Sequence, residues 1–294
     1  MERRLGTKIA LKLVGAVPVR WIKVVSKLQW RHPLAKKGFD FVADRFRQHD
    51  GTIQQGAGKG LRFNVGGSTA GMILGTTEPE LQRALASLLQ PGMCFYDVGA
   101  NVGFFSVIAA RLVGDRGKVV AFDPLPSNVA AVSRNAQLNG FAHVDVKELA
   151  VGRADERQAF IISSDPNWGR LATVGVPDAV IGEQQVEVRR LDQLVADGLR
   201  PPTVVKIDVE GAEIDVLEGA RQVLDQARPI LFIDLHGTNA RIAELLSGSR
   251  YVARAFGKRD DLLTAVPWDA QVAAIPEERT DLAWLLDDVA LMSS

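Results

Sequence analysis

Between residues 93 and 276 the chain alternates short apolar runs with longer stretches whose apolar positions recur every three or four residues. The apolar runs at 94–98, 118–122, 144–150, 203–207 and 230–235 predict strands. They show little polar alternation, the signature of strands buried on both faces. The stretches at 104–112, 127–138 (ended by Asn139-Gly140) and 212 to about 224 predict helices between them. Strand and helix in alternation imply a parallel sheet covered on both sides, a doubly wound α/β domain. Two further runs, 251–256 and 271–275, are placed to finish the sheet, with an antiparallel strand near the C-terminus.

Upstream, the glycine-rich residues 51–74 read as a hairpin. Thr77-Glu78-Pro79-Glu80 reads as a helix start, with Thr77 as cap, Glu80 three residues on and Pro79 in the first turn. Leu81, Leu85, Leu88 and Leu89 give that helix one apolar face before Pro91-Gly92 ends it. Residues 150–203 are expected to be irregular up to the fourth strand. Residues 19–31 read as a helix with Arg20, Lys23, Lys27 and Arg31 on one stripe and Trp21, Val25 and Leu28 on the next. Such a helix suits either a cap on the body or an anionic membrane surface. The expected division is a basic helical and hairpin extension, residues 1–74, followed by the α/β domain, residues 75–294.

Composition narrows the function classes. The chain has 294 residues, 47% hydrophobic and 24% charged, with one cysteine and four histidines. This is globular composition, with no internal disulfide and no cysteine-rich zinc site. A reducing, cytoplasmic setting fits. Charge is balanced overall but unevenly placed: residues 1–50 hold 12 Lys+Arg against 4 Asp+Glu, and the remainder 23 against 31. An acidic body argues against a nucleic-acid partner. The longest uncharged run in the basic arm, 13–19, is too short for a membrane span and lacks a cleavage site. A soluble protein is expected, with residues 1–31 as the segment for any peripheral membrane contact.

The chemistry concentrates at strand ends. Asp97-Val98-Gly99-Ala100-Asn101-Val102-Gly103 follows the first parallel strand and precedes a helix. Gly99 and Gly103 allow a tight turn and a close backbone approach, and Asp97 supplies an acceptor that would repel a pyrophosphate. The spacing differs from the G-x-G-x-x-G of nicotinamide cofactors, and no G-x-x-x-x-G-K-[ST] phosphate loop is present. Asp123, in Ala121-Phe122-Asp123-Pro124 at the end of the next strand, is placed to bind both hydroxyls of an adenosine ribose. Helix capping for Asp123 and a plain strand-to-helix turn for the glycines are the alternatives.

These segments, with Asn135, Leu138-Asn139-Gly140 and above all Lys206-Ile207-Asp208-Val209-Glu210-Gly211-Ala212-Glu213, resemble the FkbM family of S-adenosylmethionine-dependent methyltransferases. The likeness runs from about residue 75 to 237 and leaves residues 1–50 aside. Asp123 stands where the family more often carries glutamate. The resemblance implies a class I methyltransferase, Rossmann-like sheet and O-methylation of a small molecule, sugar, glycolipid or secondary metabolite. It places the amino acid part of S-adenosylmethionine near Asp97, Gly99, Asn101 and Gly103, its ribose on Asp123 and its adenine near Glu148 and Ala150.

An alcohol acceptor must lose a proton, so a general base is expected beside the methyl group. Asp208, Glu210, Glu213, Asp234 and His236 cluster where the fourth and fifth strands end, with Asp208 the first choice and His236 suited to proton transfer near pH 7. Glu213 fits the first turn of the following helix. Asp208, Asp234 and His236 could instead hold a divalent ion, although nothing in the sequence requires a metal. Asn167-Trp168-Gly169-Arg170 is placed either to close over an acceptor or simply to pack a loop.

Overall fold

The computed structural model describes residues 50–66, 68–163, 170–174, 180–256 and 266–287. The expected helix at 19–31, the peripheral contact of residues 1–31 and Asn167-Trp168-Gly169 lie outside them.

The apolar runs do form one sheet. Its strands are β3 (Cys94–Val98), β4 (Lys118–Asp123), β5 (Val144–Glu148), β10 (Val204–Ile207), β11 (Ile230–Asp234), β12 (Tyr251–Ala255) and β13 (Gln271–Pro276). The spatial order is β12-β13-β11-β10-β3-β4-β5, every pair parallel except the two that involve β13. The strand order reverses between β3 and β10, so the crevice beyond the carboxyl ends of these two strands is the place this architecture offers a ligand. Helix α3 (Phe104–Val113) follows β3 and α4 (Pro126–Leu138) follows β4.

Side chains alternate along each strand into two cores. Phe95, Val119, Val204 and Phe232 face one side, Tyr96, Val120, Val205 and Leu231 the other. The first core also takes Ile53, Phe63 and Val65 from the segment ahead of the sheet, and Phe63 meets Phe104 edge-to-face at 5.8 Å. Each such buried aromatic contributes about 1.5–3 kcal/mol of transfer free energy. The extension is therefore wall as well as prefix.

Four local expectations need correction. The hairpin at 51–74 is only β1 (Gly51–Thr52) against β2 (Arg62–Phe63), followed by the short helix α1 (Ala70–Leu74). Helix α2 (Pro79–Leu88) buries Leu81, Leu85 and Leu88 as its pattern predicts, but Glu78, in the left-handed region at φ 43°, holds the cap position in place of Thr77. Buried Gln82 secures that turn by donating from Nε2 to the carbonyls of Thr77 and Gly75. The helix from 212 divides into α6 (Glu213–Glu218) and a wider-wound turn at Val223–Ala227, because buried Asp192 accepts the N–H groups of Gln222 and Val223 and starts the second piece afresh.

The fourth correction is the largest. Residues 150–203 include a second sheet, β6 (Ala150–Val151), β7 (Glu156–Ser163), β8 (Arg170–Leu171) and β9 (Val180–Arg189), in the order β6-β9-β7-β8. The run at 144–150 thus breaks at Leu149, one piece entering each sheet. In β9 only Val186 and Val188 are buried, among Glu183, Gln185 and Glu187, so the apolar alternation is too dilute to announce a strand.

Candidate functional site

A cavity of about 270 Å³ opens over the carboxyl ends of β3, β4 and β10. The loop after β3 forms its floor. Gly99 and Ala100 both donate their N–H to the Phe122 carbonyl, tying this loop to the end of β4. Gly99 has φ 79°, and any Cβ there would collide with the backbone oxygen of Asp208. Gly103, at φ 81°, lies against Val132 of α4. The two glycines therefore let neighbouring elements close on the loop, where sequence alone assigned that closeness to a ligand.

Asp123 sits at the tip of β4 and lines the cavity. Its Oδ2 accepts from the Asn101 N–H at 2.9 Å, and its Oδ1 from the Leu125 N–H at 3.0 Å and Asn128 Nδ2 at 3.1 Å. Burial pushes its pKa up to about 7 against these donors. Asn101 itself is held at φ 50°. Apolar side chains of Phe122, Leu149, Phe160 and Leu171 complete this end of the cavity.

At the other end stands a feature the sequence reading did not weigh. Lys206, in the middle of β10, is 2% exposed, and its ammonium lies 3.1 Å from Asp208 Oδ2 and 5.4 Å over the Phe105 ring. The charges of Asp208, Asp97, Glu78 and Asp234 outweigh its burial and hold its pKa well above the ordinary lysine value. Glu78 reaches this group from the start of α2, lining the cavity beside Lys206 and Asp208. Gln271 of β13 donates from Nε2 to Glu78 Oε2 at 2.6 Å and to Asp234 Oδ1 at 2.9 Å, joining the two carboxyls. Burial, with the charges of Asp208 and Asp97, raises Glu78 to about 7 despite Lys206. The signal for Lys206 was present as a lone cation inside the apolar run Val204–Ile207. Glu78 had no signal beyond its place next to a proline.

Of the expected cofactor residues, Gly99, Asn101, Asp123 and Ala150 line the cavity. Asp97, Gly103 and Glu148 do not. Asp97 is 1% exposed, turned inward to accept from Ser106 Oγ at 2.5 Å, with its Oδ1 lacking a hydrogen-bond partner among the described residues. Glu148 is exposed because β5 is an edge strand, leaving its last side chain to solvent.

Of the expected catalytic residues, Asp208 and Glu210 line the cavity, and His236 adjoins Glu210, with Nε2 at 3.6 Å from its Oε2. His236 Nδ1 is 2.9 Å from Oε1 of Glu213, which has no exposed surface. Glu213 is thus the anchor of the imidazole, a larger part than its first-turn position suggested. Burial lowers the His236 pKa, but the Glu213 hydrogen bond and the charges of Glu210, Glu213 and Asp208 overcome it and raise the group to about 9. This shift favours the imidazolium near pH 7, where the sequence suggested a neutral proton acceptor. Glu210 has φ 52°, and Glu78, Asn101 and Glu210 all line the one cavity with left-handed backbones, a concentration of strain that marks functional sites.

Comparison with known proteins identifies the family of the chain. The model of the methyltransferase FkbM domain matches residues 97–264. The chain belongs to the FkbM methyltransferase family. Among similar proteins, Methyltransferase 1 of Beauveria bassiana is 26% identical over 141 residues, covering 42% of this chain and 56% of that one. Ribosomal RNA large subunit methyltransferase E of Chromohalobacter salexigens is 35% identical over 96 residues, covering 32% and 45%. The FkbM chain thus spans about half the length of these curated relatives. The crystal structure of methyltransferase FkbM from Methylobacillus flagellatus KT superposes with a TM-score of 0.44 at 20% identity, over 64% of this chain and 45% of that one. Among the described residues no helix is long and apolar enough to cross a membrane.

Proposed function

We propose that this FkbM-family protein is an S-adenosylmethionine-dependent O-methyltransferase acting on a hydroxyl of a small molecule, sugar or lipid-linked glycan. The observation that carries the reading is the polarity of the cavity: apolar at the Asp123 end, acidic at the Asp208 end. A nucleoside needs flat apolar walls and an acceptor for its ribose hydroxyls. A sulfonium with an ammonium group needs negative charge, which the acidic side chains Glu78, Asp208 and Glu210 along the cavity wall offer. The carboxylates of Asp208 and Glu210, which line the cavity, suit a cationic ligand. The donor set fits S-adenosylmethionine.

When bound, that cofactor supplies a methyl group already activated by its positive sulfur. The chain's own groups do the rest. Asp123 accepts the ribose hydroxyls, with Asn101 and Asn128 holding its carboxylate in place. Asp208 and Glu210, both open to the cavity, receive the proton of the acceptor hydroxyl. Lys206 fixes Asp208 at the strand tip, and the His236 imidazolium, anchored by Glu213, neutralises part of the charge on Glu210. Alignment rather than bond chemistry is thus the protein's contribution.

Two of the curated relatives carry a ribosomal RNA methyltransferase name. For this chain the net acidic body outside residues 1–50 favours a small acceptor over a phosphate backbone. Titration calorimetry with S-adenosylmethionine tests the reading: the wild-type chain binds it and Asp123→Ala binds at least about tenfold more weakly, the loss expected for charge-assisted bonds of about 1.5–3 kcal/mol. Equal affinity in the two proteins rejects it. Incubation with a labelled methyl donor and lipid and glycan extracts tests the acceptor class. Binding without any transfer would favour a non-catalytic adenosyl-binding protein.

A further inference from the structure

One group of side chains beside the cavity has the composition of a metal site. Asp208 just beyond β10, Glu210 two residues on and His236 just past β11 bring two carboxylate oxygens and an imidazole nitrogen within 4.8 Å of one another. We propose that Asp208, Glu210 and His236 bind a divalent first-row transition-metal ion at this edge of the cavity. The inference goes beyond the methyl-transfer reading and stands without it.

The first support is the way the imidazole is held. Glu213 takes His236 through Nδ1, and Glu213 is itself fastened by the Gly211 N–H at 2.8 Å and by Thr238 Oγ1 at 2.9 Å. With Nδ1 engaged, Nε2 is the nitrogen left beside Glu210. A buried carboxylate behind a histidine is the arrangement that orients metal-binding imidazoles. An ordinary surface histidine has no need of a fully buried carboxylate with two further anchors.

The second support lies on the neighbouring strand. Asp234, at the end of β11, keeps Oδ2 buried without a hydrogen-bond partner among the described residues, and burial together with the charge of Asp208 raises its pKa well above the ordinary carboxylate range. An unmet buried acceptor next to the donor set is a demand for positive charge that the protein alone leaves open. Lys206 meets part of it by holding Asp208 Oδ2, which leaves Asp208 to ligate through Oδ1. The ion would take over from the imidazolium as counter-charge to Glu210 and Glu213.

The donor set also selects the class of ion. One nitrogen and two oxygens suit manganese, iron, cobalt or zinc, whereas calcium seeks six to eight oxygens. Trans ligands on such an ion stand about 4.2 Å apart, twice a bond of about 2.1 Å. A side-chain adjustment of under about 1 Å would close the present group around one ion.

The test uses the full chain, stripped with EDTA, dialysed and titrated with manganese chloride, with free Mn²⁺ read by electron paramagnetic resonance. One saturable ion per chain is expected. Glu210→Gln and His236→Gln should each weaken it at least about tenfold, a loss of about 1.4 kcal/mol. Glu213→Gln, which removes no ligand, should weaken it several-fold. Circular dichroism confirms that each variant folds, and Glu210, partly exposed, is the variant least exposed to misfolding. Absence of saturable binding by the wild-type chain at about 1 mM Mn²⁺, or equal binding in folded Glu210→Gln, overturns the proposal. S-adenosylmethionine binding is measured on the same samples: if it persists where Mn²⁺ fails, only the ion site falls, and if it alone fails, only the methyl-donor reading falls.

Discussion

Gly99 and Asp208 are pressed together: the space a Cβ on Gly99 would need is filled by the backbone oxygen of Asp208. The loop after β3 and the acidic tip of β10 are thereby placed by the same contact. Gly99→Ala should cost about 2 kcal/mol or more, from a left-handed alanine and from the overlap. Urea denaturation measures the loss, and a variant as stable as wild type would show that the two loops separate easily.

Lys206 is the counter-charge on which the buried carboxylates depend. Lys206→Met keeps the stem volume but leaves four acids facing one another, and breaking a buried pair in this way costs about 3–5 kcal/mol. Adding Glu78→Gln to Lys206→Met should recover part of that loss, because the two positions interact. Strict additivity in the double mutant would contradict the shared network.

Stability should fall as pH rises from about 5 to 9. Burial raises Asp123 and Glu78 to about 7, so between the unfolded carboxylate range and pH 7 the folded chain holds more protons than the unfolded one. Ionising these groups then works against the fold. His236 acts in the same direction: its stabilisation is full below about 6.5 and is lost as pH passes about 9. The opposing case is Glu278, held at about 2 by Arg228, whose contribution disappears only in acid. Urea titrations in EDTA-containing buffer at fixed ionic strength should therefore find the maximum near pH 5. Glu78→Gln should flatten the decline.

Asp97 and Asp123 should separate in their effects. Asp97→Asn disturbs a buried bond to Ser106 and should lower the melting temperature, with a smaller change in S-adenosylmethionine affinity than Asp123→Ala. The reverse ranking in calorimetry would place the cofactor against Asp97.

Periodicity made the main sheet legible because strands such as Cys94–Val98 and Val204–Ile207 are buried throughout and need apolar residues at nearly every position. The second sheet was hidden for the opposite reason, since β9 buries only Val186 and Val188. At the site, local motifs pointed to Asp123, Asp208 and Glu210, whose side chains sit on the loops they mark. Glu78 and Gln271 could not be read in the same way. They are 193 positions apart in sequence, and only the folded topology makes them neighbours.

Strand β13 lies between β11 and β12 in the sheet, and among the described residues β12 pairs with no other strand. It also lies beyond residue 264, where the family likeness stops. A fragment trimmed to residues 97–264 would strand β12 without a ladder, expose one flank of β11, and lose both Glu78 and the Gln271 that bonds it beside the cavity. The residues that identify the family of this chain are fewer than those that build its sheet.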